Sequence, residues 1–443
     1  MLYRLFLHGL GVALKSAIKR TQVQLGRRYR QLRNLWRAEG LVGVSDRTRR
    51  AIAERLVPKN AIMPVRCSDV MAADFSRPLK PAILDVVPGQ PLVINWVTTP
   101  SAPGSGGHTT IFRIVRYLEA HGYHNRIYFY DVYGGDHSYY RSIVRDYYDF
   151  HGPVASVDEG MDDAHIVMAT AWPTAYPAFN STCAGKRFYF VQDFEPFFHP
   201  VGAVSLLAEN TYHMGFHAVT AGKWLSTKLK EEFGMTADSF DFGCDVAAYS
   251  RKQDSNRSGL VFYARPEAAR RGFELGLMTM EIFAARHPEI DLHFYGETMG
   301  NLPFRFVNHG RVTPDQLNQI YNRCYAGLSL SLTNVSLVPH EMLAAGCIPV
   351  VNEGIQNRIV LDNPFVRYAQ PNPHALASEL EAVVTDTDFE SLSQSAAASI
   401  HGVTWDDAGA TIDGILRRAL QLNSEDRDQD DFAICASFYR TAL

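Results

Sequence analysis

Thirteen residues, Pro339-His340-Glu341-Met342-Leu343-Ala344-Ala345-Gly346-Cys347-Ile348-Pro349-Val350-Val351, constrain this chain more than any other stretch. They specify a short helix beginning near Glu341, a stop at Gly346 and a buried strand from Ile348 to Val351. Glycine suits the stop because it alone takes left-handed backbone angles without a steric penalty. A carboxylate in the first helical turn lies where the helix dipole favours negative charge, beside free N–H groups that can hold a phosphate. An acid for ribose hydroxyls next to amides for pyrophosphate is one way to grip a nucleotide. An ordinary βα unit with a well-placed acid is the other reading of the same residues.

The unit does not stand alone. Strands are expected at Leu92–Val97, Arg126–Asp131, Ala164–Thr170, Arg187–Gln192 and Ala218–Ala221, with helices at Thr109–His121 and Trp224–Phe233. After a polar break at Ser250–Ser258 come strands Gly259–Tyr263, Asp291–Tyr295, His309–Val312 and Ala326–Ser331, with helices Phe273–His287 and Pro314–Arg323. Alternating strands and helices imply parallel, doubly wound sheets covered on both faces. At 443 residues the chain suits two such domains. The expected organisation is a helical head at 1–60, a first α/β domain at 61–250, a second at 251–420, and a C-terminal piece at 421–443.

Charge is distributed unevenly. The chain has a net charge of −4, which gives no argument for nucleic-acid binding. Residues 1–50 carry twelve Lys and Arg against Glu39 and Asp46, so the body is acidic and the head basic. Leu2, Phe6, Leu10, Leu14 and Ile18 recur at helical spacing before the basic run, a pattern that suits either an anionic membrane surface or packing against protein. No window reaches the roughly 18 apolar residues that a membrane span requires. The six cysteines have neither paired nor metal-ligand spacing, which is the usage of a reducing cytosol, and no metal site is expected.

Three further segments can carry chemistry. Gly104-Ser105-Gly106-Gly107-His108 follows a strand and opens a helix, so its backbone can approach an anion at Gly106 and Gly107, with His108 either at the site or capping the helix. Arg265, then Arg270, Arg271 and Gly272, follow the strand Gly259–Tyr263, and Arg311 ends another strand. Guanidinium groups at the C-terminal edge of an α/β sheet suit a phosphate, although each alone reads equally as a surface charge. In Tyr189-Phe190-Val191-Gln192-Asp193-Phe194-Glu195-Pro196-Phe197-Phe198, two carboxylates stand among aromatic rings. Rings can stack on sugar faces while an acid holds a hydroxyl or takes its proton; Asp193 as a turn cap among core aromatics is the plainer alternative.

Residues Ser336 to Val351 resemble the donor-binding signature of GT-B glycosyltransferases of family 4. One position departs: the first acid of that signature, eight residues before Glu341, is Thr333. The Gln192-Asp193-Phe194-Glu195-Pro196 segment, the Gly-Gly-His loop, Arg265-Pro266 and Gly310-Arg311-Val312-Thr313 occur in the order found in WsaF-type rhamnosyltransferases, over roughly residues 90–420. The resemblance implies two Rossmann-like domains facing a cleft, with a terminal helix, Phe432–Leu443, crossing back to the first. It implies a metal-independent, cofactor-free transfer of rhamnose from dTDP-L-rhamnose onto a growing surface glycan or lipid-linked acceptor. The donor would be held by Gly106, Gly107, Arg265, Arg271, Arg311, Ser336 and Glu341, with Asp193, His108 and Glu195 as catalytic candidates. A cytoplasmic enzyme on the inner membrane face, as a homodimer, is the expected setting. A sugar-nucleotide epimerase and a non-catalytic glycan- or nucleotide-binding module are the alternatives.

Overall fold

The structure is a computed structural model; it describes residues 63–253, 256–400 and 402–421, together with scattered positions between 26 and 56. Those scattered positions are helical. The apolar stripe Leu2–Ile18 and the terminal piece Phe432–Leu443 lie outside the described residues. The chain divides into two compact units, 1–63 and 64–443, and the α/β body is the second.

A short helix α1 (Cys67–Ala72) precedes the first sheet, whose elements run β1 (Leu92–Thr98), α2 (Gly106–Ala120), β2 (Tyr123–Phe129), α3 (His137–Asp146), β3 (Val154–Ser156), β4 (Ile166–Ala169), α4 (Trp172–Asn180), β5 (Lys186–Val191), α5 (Ala203–Asn210), β6 (His217–Ala221), α6 (Lys223–Phe233) and β7 (Ala237–Phe240). The strands are all parallel, in the order β3-β2-β1-β4-β5-β6-β7. Burial on both faces explains why β1 and β5 read as nearly continuous apolar runs. Trp96 is fully buried and its indole N–H donates to Asn125 Oδ1 at 2.8 Å, so neither polar group is stranded.

The second sheet is built from β8 (Gly259–Ala264), α7 (Phe273–Arg286), β9 (Asp291–Gly296), β10 (Val307–Gly310), α8 (Pro314–Arg323), β11 (Cys324–Leu328), α9 (Val338–Ala344), β12 (Ile348–Asn352), α10 (Ile355–Leu361) and β13 (Arg367–Ala369). It too is parallel, in the order β10-β9-β8-β11-β12-β13. In both sheets the order reverses beside the first strand, β1 against β4 and β8 against β11. Ligands of open α/β sheets bind at that switch point, outside the strands' carboxyl ends. The loops after β1 and β8 leave from there.

Helices α11 (Pro373–Val384), α12 (Phe389–Ala398) and α13 (Trp405–Ala419) complete the described chain. The helix that returns to the first domain is α13, so the second domain's expected boundary at 420 moves back to about residue 404. Ala408, Ile412, Ile415 and Leu416 are buried in the first domain's core. Asp413, itself buried, accepts hydrogen bonds from Tyr123 Oη at 2.7 Å and Arg417 Nε at 2.8 Å. The chain therefore passes between domains twice, near residues 241–258 and 399–404. The passages touch: Cys244 N donates to Val403 O at 3.0 Å, and a Cβ on Gly243 would fall 2.5 Å from Trp405 N.

Candidate functional site

The turn after β8 carries three guanidinium groups. Arg265 follows the strand directly, and Arg270 and Arg271 sit on a 3-10 turn, Ala269–Arg271, that leads into α7. Arg271 is half-buried and donates to Ser331 Oγ at 2.5 Å and Asn334 O at 3.2 Å. Burial lowers its pKa, Asp193 opposes that shift, and Arg270 and Arg265 add to it as like charges. Arg265 Nη1 donates to Tyr263 Oη at 3.3 Å, while its Nε is shielded from solvent with no hydrogen-bond partner. An unmatched buried donor of this kind costs about 1–3 kcal/mol until an acceptor arrives.

The loop between β11 and α9 supplies the next layer. The apolar run suggests a strand to Ser331, but β11 ends at Leu328 and the chain turns. Asn352, at the end of β12, holds this turn by donating to Ser331 O at 3.0 Å and accepting from Ser331 N at 2.8 Å. Asn334 then reaches the first domain, donating through Nδ2 to Gln192 O and Ala221 O, each at 2.8 Å.

Asp193 meets this loop. Its Oδ1 accepts from Asn334 N at 2.8 Å and from Phe194 N at 2.9 Å, and its Oδ2 accepts from Thr333 Oγ1 at 3.0 Å. Arg270 Nε stands 3.5 Å from Oδ2, an ion pair rather than a hydrogen bond, and its guanidinium lies 4.4 Å from the Phe198 ring centroid. Burial raises the Asp193 pKa despite Arg271 and these donors. Asp193, a catalytic candidate read from the first domain, is bonded to the Thr333–Asn334 loop of the second domain. At Thr333, where the resembling family carries an acid, a carboxylate arrives from across the cleft.

Glu195 Oε2 accepts from Trp172 N at 2.6 Å at the start of α4, and burial pushes its pKa up to about 8, so it is largely a neutral acid at pH 7. His108 is tied to its own loop, with Nδ1 2.9 Å from Ser105 Oγ and Nε2 3.2 Å from Thr99 O. The Thr99 carbonyl can only accept, so Nε2 carries the proton and donates to it, and Nδ1 accepts from the serine hydroxyl. This arrangement orders the loop and leaves neither ring nitrogen open as a base. Gly106 and Gly107 are exposed at the first turn of α2, and Gly107 O accepts from Gln192 Nε2 at 3.2 Å. The glycine loop and the Asp193 segment are thus neighbours.

Glu341 lies at the other end of a tyrosine series. Tyr263, which holds Arg265, stacks on Tyr295 at 5.0 Å. Tyr295 Oη is 2.7 Å from Tyr321 Oη, and Tyr321 donates to Glu341 Oε2 at 3.4 Å. Burial pushes the Glu341 pKa up to about 7, while Arg113 on α2 and the Tyr321 hydroxyl pull it back. Helix α9 begins three residues before Glu341, and Gly346 ends the unit with φ +67° as expected. Ser336 Oγ is buried without a partner just before α9. Arg311 is not gathered in: β10 stops at Gly310, and the Arg311 side chain, 81% exposed, pairs with Glu297 at 2.7 Å.

Arg270, Arg113, Thr333 and Asn334 make contacts here that no local sequence pattern marks as clearly as it marks Arg271. Only the adjacent Arg-Arg-Gly offered a signal for the first. A cavity of about 290 Å³ beside Lys252, Asn256, Gln319, Asn322 and Arg323 shares no residue with this cluster.

Two parallel six- and seven-stranded sheets, each with its loops leaving at the switch point, define the GT-B fold. Anabaena Alr3699/HepE, solved in complex with UDP and glucose, superimposes with a TM-score of 0.59 at 12% identity, over 74% of this chain and 100% of that one. A variant of S. aureus TarM, solved with fondaparinux, alpha-GlcNAc-glycerol and UDP, gives 0.59 at 8% identity, over 73% and 99%. Within that fold, residues 258–381 match the family model described as WsaF, C-terminal domain. The O-antigen biosynthesis protein RfbC of Myxococcus xanthus is 30% identical over 276 residues, 58% of this chain and 21% of that protein. The chain therefore spans about a fifth of that relative's length.

Proposed function

We propose that the protein is a glycosyltransferase of surface-polysaccharide assembly that takes a nucleotide-sugar donor and extends a glycan acceptor. One observation carries this reading. Arg265, Arg270 and Arg271 leave one turn at the switch point of the second sheet, Asp193 faces Arg270 and Arg271, and Arg265 Nε lacks an acceptor. Such a site suits a diphosphate, whose negative charge grows as the sugar departs; guanidinium groups stabilise that charge. Glu341, reached from Arg265 along the tyrosines, is suited to ribose hydroxyls. Ser336 and the glycine loop supply further donors.

The finer reading is transfer of rhamnose from dTDP-L-rhamnose, supported by the WsaF-like second domain. Arg265→Ala should weaken dTDP binding by about 1–3 kcal/mol, the range for losing charge-assisted hydrogen bonds, with little change in stability. Unchanged affinity by calorimetry would remove Arg265 from the site. A mass-spectrometric screen of nucleotide sugars hydrolysed by the purified protein identifies the donor; turnover of UDP-sugars alone would sink the rhamnose assignment. The acceptor would lie beside the Phe198 ring, which faces the Arg270 guanidinium. The basic residues of 1–50 would hold the enzyme to an anionic cytoplasmic membrane face, an attachment that salt should weaken. No described helix is long and apolar enough to cross a membrane.

A further inference from the structure

The segment after Glu195 has a surface that the transfer reaction does not use. From Pro196 to Ala208 the chain contains no Asp, Glu, Lys or Arg. The 3-10 turn Glu195–Phe198 and helix α5 pack together, with residues 199–202 as the bend between them. Phe197 is 56% exposed, Phe198 38%, Val201 101% and Leu206 57%. Val201 is therefore a projecting tip, not part of a flat patch. An apolar cluster of this kind costs free energy in water and marks an interaction site.

The polar groups of the same segment turn inward. Ser205 Oγ donates to Pro196 O at 3.0 Å, and Trp172 Nε1 donates to His199 Nε2 at 3.2 Å. Neither side chain needs water at the tip. Cations stand at the base: Lys228 Nζ is 4.5 Å from the Phe194 ring centroid and 5.8 Å from that of Phe197, while also pairing with Glu232 at 2.6 Å. Lys223 and Lys230 are exposed on the same helix, α6, but so are Glu231 and Glu232, so the helix adds little net charge.

We infer that Phe197, Val201 and Leu206 form a wedge that inserts into the interfacial zone of a lipid bilayer. Charge and shape both favour this occupant. No charged side chain within the segment from Pro196 to Ala208 would have to be desolvated on insertion, and a protruding tip enters a soft interface, whereas a rigid protein partner needs a broad complementary face. The inference is independent of the donor's identity and of residues 1–50, whose attachment would be electrostatic.

Vesicle sedimentation of the full chain separates the two modes. At about 0.5 M salt, electrostatic attachment is largely screened and apolar insertion persists. Val201→Asp combined with Leu206→Asp should lower the salt-resistant partition onto phosphatidylglycerol–phosphatidylcholine vesicles at least about tenfold, leaving dTDP binding unchanged. Equal salt-resistant partition of wild type and variant overturns the proposal. So does a wild-type dimer, by light scattering, that the variant converts to monomer, because the tip would then be an interface between copies. If the variant does not fold, hydrogen exchange on the wild type decides: residues 197–206 should gain protection with vesicles, and no gain refutes the wedge.

Discussion

Replacing Glu341 by Gln should make the protein more stable while weakening its grip on a nucleotide. Burial among Tyr249, Tyr295 and Tyr321 outweighs the help of Arg113 and lifts the Glu341 pKa from an ordinary 4.5 to about 7. A raised folded-state value means that ionisation opposes folding. Below the unfolded pKa both states hold the proton and Gln mimics the wild type. As pH rises through about 7, the wild type loses this stability in full. The shift corresponds to roughly 3 kcal/mol at 1.36 kcal/mol per unit. Denaturant titrations at pH 5 and pH 8 should therefore show a Glu341→Gln advantage that is small at the first and approaches that magnitude at the second. Calorimetry at pH 8 should show the opposite sign for dTDP, with affinity falling by about 1–3 kcal/mol as a charged acceptor is lost. In the wild type, affinity should also decline below pH 7 as the carboxylate protonates. A variant that is less stable than wild type at pH 8 would refute the claim that desolvation dominates at Glu341.

Arg311→Ala should change dTDP affinity and stability by less than about 0.5 kcal/mol, since an exposed ion pair contributes little; a tenfold calorimetric loss would restore it to the site. Gly346→Ala should cost about 1–3 kcal/mol in denaturant unfolding, because φ is +67° and the new Cβ would sit 2.4 Å from Ser393 Oγ; a neutral result would mean that this turn relaxes freely. Asp413→Ala should cost about 3–5 kcal/mol by leaving Arg417 and Tyr123 without their buried acceptor, and unchanged thermal unfolding would contradict the docking of α13.

The two sheets were legible because parallel strands buried on both faces leave long apolar runs between helical periods. The strands that escaped, β3, β7 and β13, are short edge strands of three or four residues, and polar groups such as Asp238 and Arg367 blur their pattern. The site was legible one residue at a time. Arg265, Arg271 and Glu341 stand at strand ends and helix starts, where local rules operate. That Asp193 would lie on Thr333 and Asn334 was not, because 140 residues separate the partners and only the packing of one domain on the other brings them together. Arg311 misled for a local reason: the expected strand was placed two residues late, which set its guanidinium at a strand end.

The paired passages near Cys244 and Val403 restrict how the cleft can open. A single flexible connection would let one domain swivel freely about the other. Two connections locked side by side, with no room for even a methyl group at Gly243, favour rotation about one axis that runs through them. The jaws would then part on a fixed arc, and the contacts of Asp193 and Asn334 would break together on every opening. Substrate entry becomes an all-or-none event, in which the protein gives up one set of interdomain bonds as a unit and regains the same set on closing.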